Sequence, residues 1–302
     1  MVISAIILVM SLVRISGQLL DKQAEQRVQN MYARDDKGII QGLQSITELQ
    51  RKKRAILIVH GFMDSPASFA DLVDDIKNRV DSDIYVPLLP FHGRDLKSAS
   101  QFNNKIISDD LDHTINTLAK KYQSLTVIGM SYGGALLTAL VNEKKVPDTV
   151  HVILYAPGFF LKTNTFSGRM EAHVYGWWRN YCNYAALGCI FPSYPSGDDV
   201  SRPMFDKAKS LQYVTISALL KLYQFDLNNR KELGNIHRPY SLIIAVDDNR
   251  VSYDKTKAAC KTNQPYCHFY SFSSGKHIIH WGANKKKFED LLVKLVTEKP
   301  NE

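Results

Sequence analysis

The chain has 302 residues, 45% hydrophobic and 23% charged, with no internal repeat or low-complexity stretch. That balance is ordinary for a globular protein and excludes repeat arrays and biased, unfolded compositions. The net charge of +8 comes from 38 basic against 30 acidic residues. Part of it sits in Arg51-Lys52-Lys53-Arg54 and Lys285-Lys286-Lys287, which carry no interleaved aromatics. Nucleic acid is therefore not expected as a partner, and a solvated face or attraction to anionic lipid headgroups fits better.

Residues 2–13 form an apolar run of twelve, ended by Arg14 and extended weakly by Leu19-Leu20. A membrane-spanning helix needs about 20 apolar residues. The run thus reads as a signal-peptide core, with Ile15-Ser16-Gly17 as an imperfect cleavage site, or as a short membrane anchor. Export (periplasmic or secreted) or anchoring through residues 1–20 is expected ahead of a cytoplasmic location. Residues 21–37 are polar and belong on the surface, and 39–49 should hold the first short strands.

From residue 55 onward apolar runs alternate with amphipathic stretches. Strands are predicted over 55–59, 84–88, 125–128, 150–155, 240–246 and 266–272, and helices over 68–80, 102–122, 133–143, 252–259 and 285–296. This alternation predicts an α/β fold with a mostly parallel sheet covered on both faces. Functional loops then emerge at the carboxyl ends of the strands. The rhythm breaks between 155 and 240, and residues 158–237 are assigned to an inserted cap on a core of 21–157 and 238–302. The insertion is rich in aromatics, among them Phe159, Trp177 and Trp178, which either form the cap's own core or face an apolar ligand. A cap helix is expected over 210–222.

Gly129-Met130-Ser131-Tyr132-Gly133 lies between the predicted strand 125–128 and a helix rich in small residues. A G-x-S-x-G in that context predicts a nucleophile elbow, in which glycines permit a sharp turn and the serine hydroxyl is exposed above the sheet. A serine hydroxyl needs a base, and the base needs an orienting acid. Asp247-Asp248 follow the strand at 240–246, and His277 follows the strand at 266–272 in a Ser/Gly loop. These supply an acid and a base in the chain order that strand-elbow hydrolases use. Cys182 and Cys189, and Cys260 and Cys267, form two local pairs that suggest short-loop disulfides in an exported chain. No C-x-x-C or clustered His spacing appears, so neither metal nor cofactor is expected.

In four segments the chain resembles the α/β-hydrolase superfamily, in particular its esterase, monoacylglycerol lipase and lysophospholipase branch. His60-Gly61-Phe62 looks like the oxyanion loop, and Tyr85-Val86-Pro87-Leu88-Leu89-Pro90-Phe91-His92-Gly93 looks like the "P-x-L-P-G-H-G" segment. The serine elbow and the Asp/His pair complete the set. Met130 and Phe91 depart from the family's usual His and Gly, which bears on the branch more than on the reaction. The resemblance implies a Ser131-His277-Asp248 triad, since Asp248 with Val251 fits the family's D-x-x-V pattern. Asp247 is then a cap for the next helix, whose first turn lies near Ser252. The backbone N–H groups of Phe62 and Tyr132 would form the oxyanion hole. His60 and His92 would hold loop backbone, and His280 would pack or line the cleft. The implied activity is hydrolysis of a lipid-like carboxylic ester through an acyl-enzyme. A thioesterase, peptidase or acyltransferase would use the same residues, and a non-catalytic binder of apolar ligands would have lost part of the triad.

Overall fold

The computed structural model describes residues 2–162, 190–192 and 213–298. The apolar runs become strands: β1 Ile46–Glu48, β2 Arg54–Val59, β3 Asp83–Val86, β4 Ser124–Met130 and β5 His151–Tyr155. Two short strands, β6 Ile190–Pro192 and β7 Tyr213–Thr215, pair antiparallel as a separate ribbon. The main sheet resumes with β8 Tyr240–Ala245 and β9 Cys267–Phe272. It has seven strands in the order β1-β3-β2-β4-β5-β8-β9, parallel throughout except for β1.

Residues 55–59 of β2, 125–130 of β4 and all of β8 are buried. Burial on both faces explains why these strands read as continuous apolar runs rather than alternating ones. Register aligns Val59 with Gly129 and Met130 with Tyr155, so the carboxyl ends of β2, β4 and β5 share one edge. The loops leaving that edge carry Phe62, Ser131, Asp248 and His277.

Eight α-helices complete the described structure: α1 Val2–Met31, α2 Ala70–Ile76, α3 Leu96–Ser100, α4 Asn104–Lys121, α5 Tyr132–Asn142, α6 Ile216–Asn229, α7 Tyr253–Thr262 and α8 Lys285–Thr297. Helix α4 begins where the Asn103 side chain accepts the N–H groups of Lys105 (3.0 Å) and Ile106 (3.3 Å). It buries Ile107, Leu111, Ile115 and Leu118, one stripe at helical spacing. Helix α5 is buried from Tyr132 through Val141, which is why its sequence shows no polar face.

Three expectations are revised. The segment before α2 is a 3-10 turn, Pro66–Phe69, so the α-helix starts at Ala70 rather than 68. The cap helix starts at 216 rather than 210, because 213–215 pair as β7 and the Thr215 hydroxyl caps Ala218 N–H at 3.3 Å. The short helix α3, capped by Asp95 on Ser98 N–H at 2.7 Å, was not expected.

The apolar run at 2–13 and the polar stretch that follows form one continuous helix, α1. Near its end Val28 is buried with Ile40, Leu43, Leu96 and Ala99. Cys260 and Cys267 are disulfide-bonded, with Cα atoms 5.5 Å apart. Cys182, Cys189, Trp177 and Trp178 lie outside the described residues.

Candidate active site

Ser131 is the hinge between β4 and α5, with φ +50° and ψ −119°. A non-glycine residue in that region is strained and persists only where its neighbours over-determine it. They do so here: Ser131 N–H donates to the Tyr155 carbonyl at 2.9 Å, and the Ser131 carbonyl accepts from Gly158 (2.7 Å) and Ala135 (3.0 Å). Position 133 must be glycine, since a Cβ there would lie 2.5 Å from the Val59 carbonyl oxygen. Gly61 brings the loop after β2 near the serine too, though less tightly, a Cβ on it falling 3.3 Å from Ser131 Cβ.

Tyr132 is the first residue of α5, and a helix leaves its first N–H groups without internal partners. A Cβ on Gly158 would lie 3.0 Å from the Tyr132 nitrogen, so glycine there keeps a side chain off that amide. The Tyr132 ring is buried against Phe62, Phe102 and Phe225, and its hydroxyl donates to Asn104 Oδ1 at 2.7 Å. Phe62, beside Gly61 in the loop after β2, thus packs its ring against that of Tyr132, the residue after Ser131, at 6.2 Å between centroids.

Asp248 is fully buried. Its Oδ1 accepts the N–H groups of Arg250 (2.7 Å) and Val251 (2.8 Å), and its Oδ2 accepts Nδ1–H of His277 at 2.9 Å. Burial pushes this carboxyl up. The adjoining imidazole and the two main-chain N–H groups outweigh that and hold it below the ordinary aspartate value. With Nδ1 committed to Asp248, Nε2 is the nitrogen of His277 that can take a proton.

Asp247 is not the cap of α7. Ser252 fills that place, accepting Lys255 N–H at 3.5 Å, and Asp247 instead accepts Lys276 N–H at 3.0 Å. The two adjacent aspartates thus hold two adjacent residues of the histidine loop.

His60 accepts Leu89 N–H on Nε2 at 3.1 Å, and Nδ1 of His92 lies 2.9 Å from the Pro90 carbonyl. Burial pushes both imidazoles down, His92 to about 4, so both are neutral near pH 7 and hold the loops after β2 and β3. His280 is buried as well. Phe159 is wholly buried in the main core and presents no open wall.

Two nearby residues carried no signal in the sequence. Asp64, four residues past His60, is pushed up to about 6 by burial, against the pull of Ser68, Ser65, Gly61 and the His277 charge. Tyr155 ends β5, and its neighbours emerge only from the strand register. Among the described residues no group of three His, Cys, Asp or Glu side chains is placed to hold a metal ion.

A sequence profile of the alpha/beta hydrolase family matches residues 56–283. No curated protein sequence matches the chain. Among solved structures it resembles that reported under "LipS and LipT, two metagenome-derived lipolytic enzymes". The TM-score is 0.68 at 14% identity, over 86% of this chain and 100% of the other. A Paleococcus ferrophilus monoacylglycerol lipase gives a TM-score of 0.65 at 15% identity, covering 84% and 98%. A soluble variant of the Saccharomyces cerevisiae monoglyceride lipase gives 0.67 at 12% identity, covering 83% and 90%. At such identities the likeness is one of fold, and the profile match over three-quarters of the sequence settles membership: the chain belongs to the α/β-hydrolase family.

Proposed function

We propose that this protein is a serine hydrolase of carboxylic esters, with Ser131 as nucleophile, His277 as general base and Asp248 as the acid that orients it. The observation that carries the reading is the fully buried Asp248 carboxylate, locked by two main-chain N–H groups and bonded to His277 at 2.9 Å. A structural aspartate needs no histidine partner at the sheet edge where a serine is held at φ +50°.

In the proposed reaction Ser131 Oγ attacks the acyl carbonyl as its proton passes to Nε2 of His277. Asp248 stabilises the imidazolium through Nδ1–H without taking the proton itself. The proton then goes to the leaving alkoxide, and water repeats the sequence on the acyl-enzyme. The N–H groups of Phe62 and Tyr132 would receive the oxyanion, and one such donor is worth about 3 kcal/mol. The acyl-transfer alternatives differ only in donor or acceptor. A non-catalytic binder leaves the strained serine and the bonded Asp/His pair without a role.

A lipid-like ester is the substrate we favour, and the N-terminal helix supports it. Ile6 to Met10 are five consecutive residues, each 42–61% exposed. At about 100° per residue they cover every side of the helix, so no polar face is left for water. Residues 2–20 carry one charge, Arg14. They rise about 28 Å, close to the ~30 Å of a bilayer's hydrocarbon core. The lower end of α1 packs at Val28 in a cluster that Met63 borders, next to Phe62. In this reading α1 is a membrane helix rooted beside the catalytic mouth. The cap proposed for 158–237 would then cover that mouth, although Phe159 at its start belongs to the main core and Trp177 and Trp178 lie outside the described residues.

The test is hydrolysis of p-nitrophenyl esters with acyl chains from two to sixteen carbons. Turnover that peaks at a medium or long chain and is abolished in Ser131→Ala supports the reading. Equal turnover in Ser131→Ala overturns it.

A further inference from the structure

The turn that follows His277 holds a second histidine that the proposed reaction does not use. His280 is 1% exposed, stacked on Phe69 and packed against Phe288. Two contacts fix where its proton lies. Nε2 is 3.1 Å from the Ser68 carbonyl oxygen, which can only accept, so Nε2 carries hydrogen. Burial pushes this imidazole down to about 3, so it is neutral near pH 7 and Nδ1 is bare.

The partner of Nδ1, at 3.1 Å, is the Tyr155 hydroxyl, which must therefore donate. With its hydrogen so placed, the Tyr155 oxygen is free to accept. It lies 2.5 Å from Ile279 N–H and 3.4 Å from His280 N–H. The chain of bonds has one consistent direction, from Ile279 N–H to Tyr155, to His280, to Ser68. Trp281 Nε1–H adds a second bond to the Ser68 carbonyl at 3.0 Å.

Tyr155 also faces the other half of the site. Its main-chain carbonyl accepts Ser131 N–H at 2.9 Å, and its backbone pairs in register with Met130. One residue of β5 thus holds the nucleophile's backbone by its carbonyl and the histidine loop, two residues past His277, by its hydroxyl. Its ring is clamped against Phe288, 4.7 Å between centroids.

We propose that Tyr155 and His280 are positioning residues that set the placement of His277 relative to Ser131, an inference resting on the roles given to those two above. Neither touches the ester, so their effect falls on the chemical step rather than on binding. Displacing a reacting group by about 1 Å can cost on the order of 10²-fold in rate.

The experiment measures kcat and KM for p-nitrophenyl butyrate in Tyr155→Phe, His280→Gln, His280→Leu and Ser131→Ala, all at a temperature where circular dichroism shows them folded. Tyr155→Phe keeps the ring and loses the hydroxyl. We expect kcat to fall roughly 10–100-fold with KM within about twofold. Glutamine can donate its amide N–H to Ser68 and accept from Tyr155, so His280→Gln should retain most of kcat. His280→Leu should fall as Tyr155→Phe does.

Wild-type kcat in Tyr155→Phe overturns the inference, as does an equal loss in His280→Gln and His280→Leu. If Ser131→Ala is inactive in the same assay, such a result removes the positioning role alone. If Ser131→Ala stays active, the proposed function falls and takes this inference with it.

Discussion

The two carboxylate oxygens of Asp248 serve different partners. Oδ2 accepts Nδ1–H of His277 at 2.9 Å, while Oδ1 is held by the N–H groups of Arg250 and Val251. The carboxylate cannot rotate away from the imidazole without abandoning two main-chain bonds in a dry site. Asp248→Asn keeps an oxygen for those bonds and presents an amide to Nδ1, which favours the wrong tautomer. kcat for a p-nitrophenyl ester should fall by on the order of 10⁴ with KM little changed. A loss under tenfold would remove Asp248 from the role given to it.

The same carboxyl makes a stability prediction. Its folded value lies below the ordinary aspartate value. Its contribution is therefore present above the unfolded value of about 4 and is lost as pH falls through the folded value. The melting-temperature gap between wild type and Asp248→Asn should be constant from pH 8 to 5 and shrink below pH 4. A gap that persists undiminished to pH 2 would contradict this.

Asp64 has the opposite sign. Its folded value of about 6 exceeds the unfolded value of about 4, so the folded state binds more protons between those limits. Stability from this group falls as pH rises through that window and is lowest above 6. Asparagine imitates the protonated form and can still accept the Ser65 N–H that Asp64 holds at 2.8 Å. Asp64→Asn should raise the melting temperature by roughly 2–5 °C at pH 8 and leave it unchanged near pH 4. An equal shift at both values would show that ionisation is not the cause.

Helix α1 offers a test of location independent of catalysis. The full chain expressed in cells should sediment with membranes at unreduced mass and resist alkaline carbonate extraction. Leu8→Asp together with Leu12→Asp should release it, because each charge in a spanning segment costs roughly 2.5–3.5 kcal/mol. Recovery of wild type in the soluble fraction, or at a mass shortened by about 20 residues, would exclude the retained membrane helix.

The central strands β2, β4 and β8 were legible because they are buried on both faces, and helix α4 because it carries a single apolar stripe of Ile107, Leu111, Ile115 and Leu118. The candidate residues Ser131, Asp248 and His277 could be singled out because an elbow, a strand end and a Ser/Gly loop are local patterns. The choice of Asp248 over Asp247 rested on the spacing to Val251, and the structure supplies the physical content of that spacing: Val251 N–H is one of the bonds that fix the carboxylate. The placement of Asp247 against Lys276, of Tyr155 against Ile279 and of Asp64 beside the site depends on residues 29, 124 and 213 positions apart. No local pattern reports contacts at such range. Helix α3 was missed for another reason: at five residues it is shorter than any window in which helical periodicity shows.

The central claim is that Ser131 is a nucleophile activated by His277. It is tested most directly by treating the full chain with a fluorophosphonate and mapping the adduct by peptide mass spectrometry. The account predicts a single adduct on Ser131, absent in Ser131→Ala and formed at least 100-fold more slowly in His277→Ala. An adduct elsewhere, or labelling of Ser131 at the same rate without His277, would contradict it.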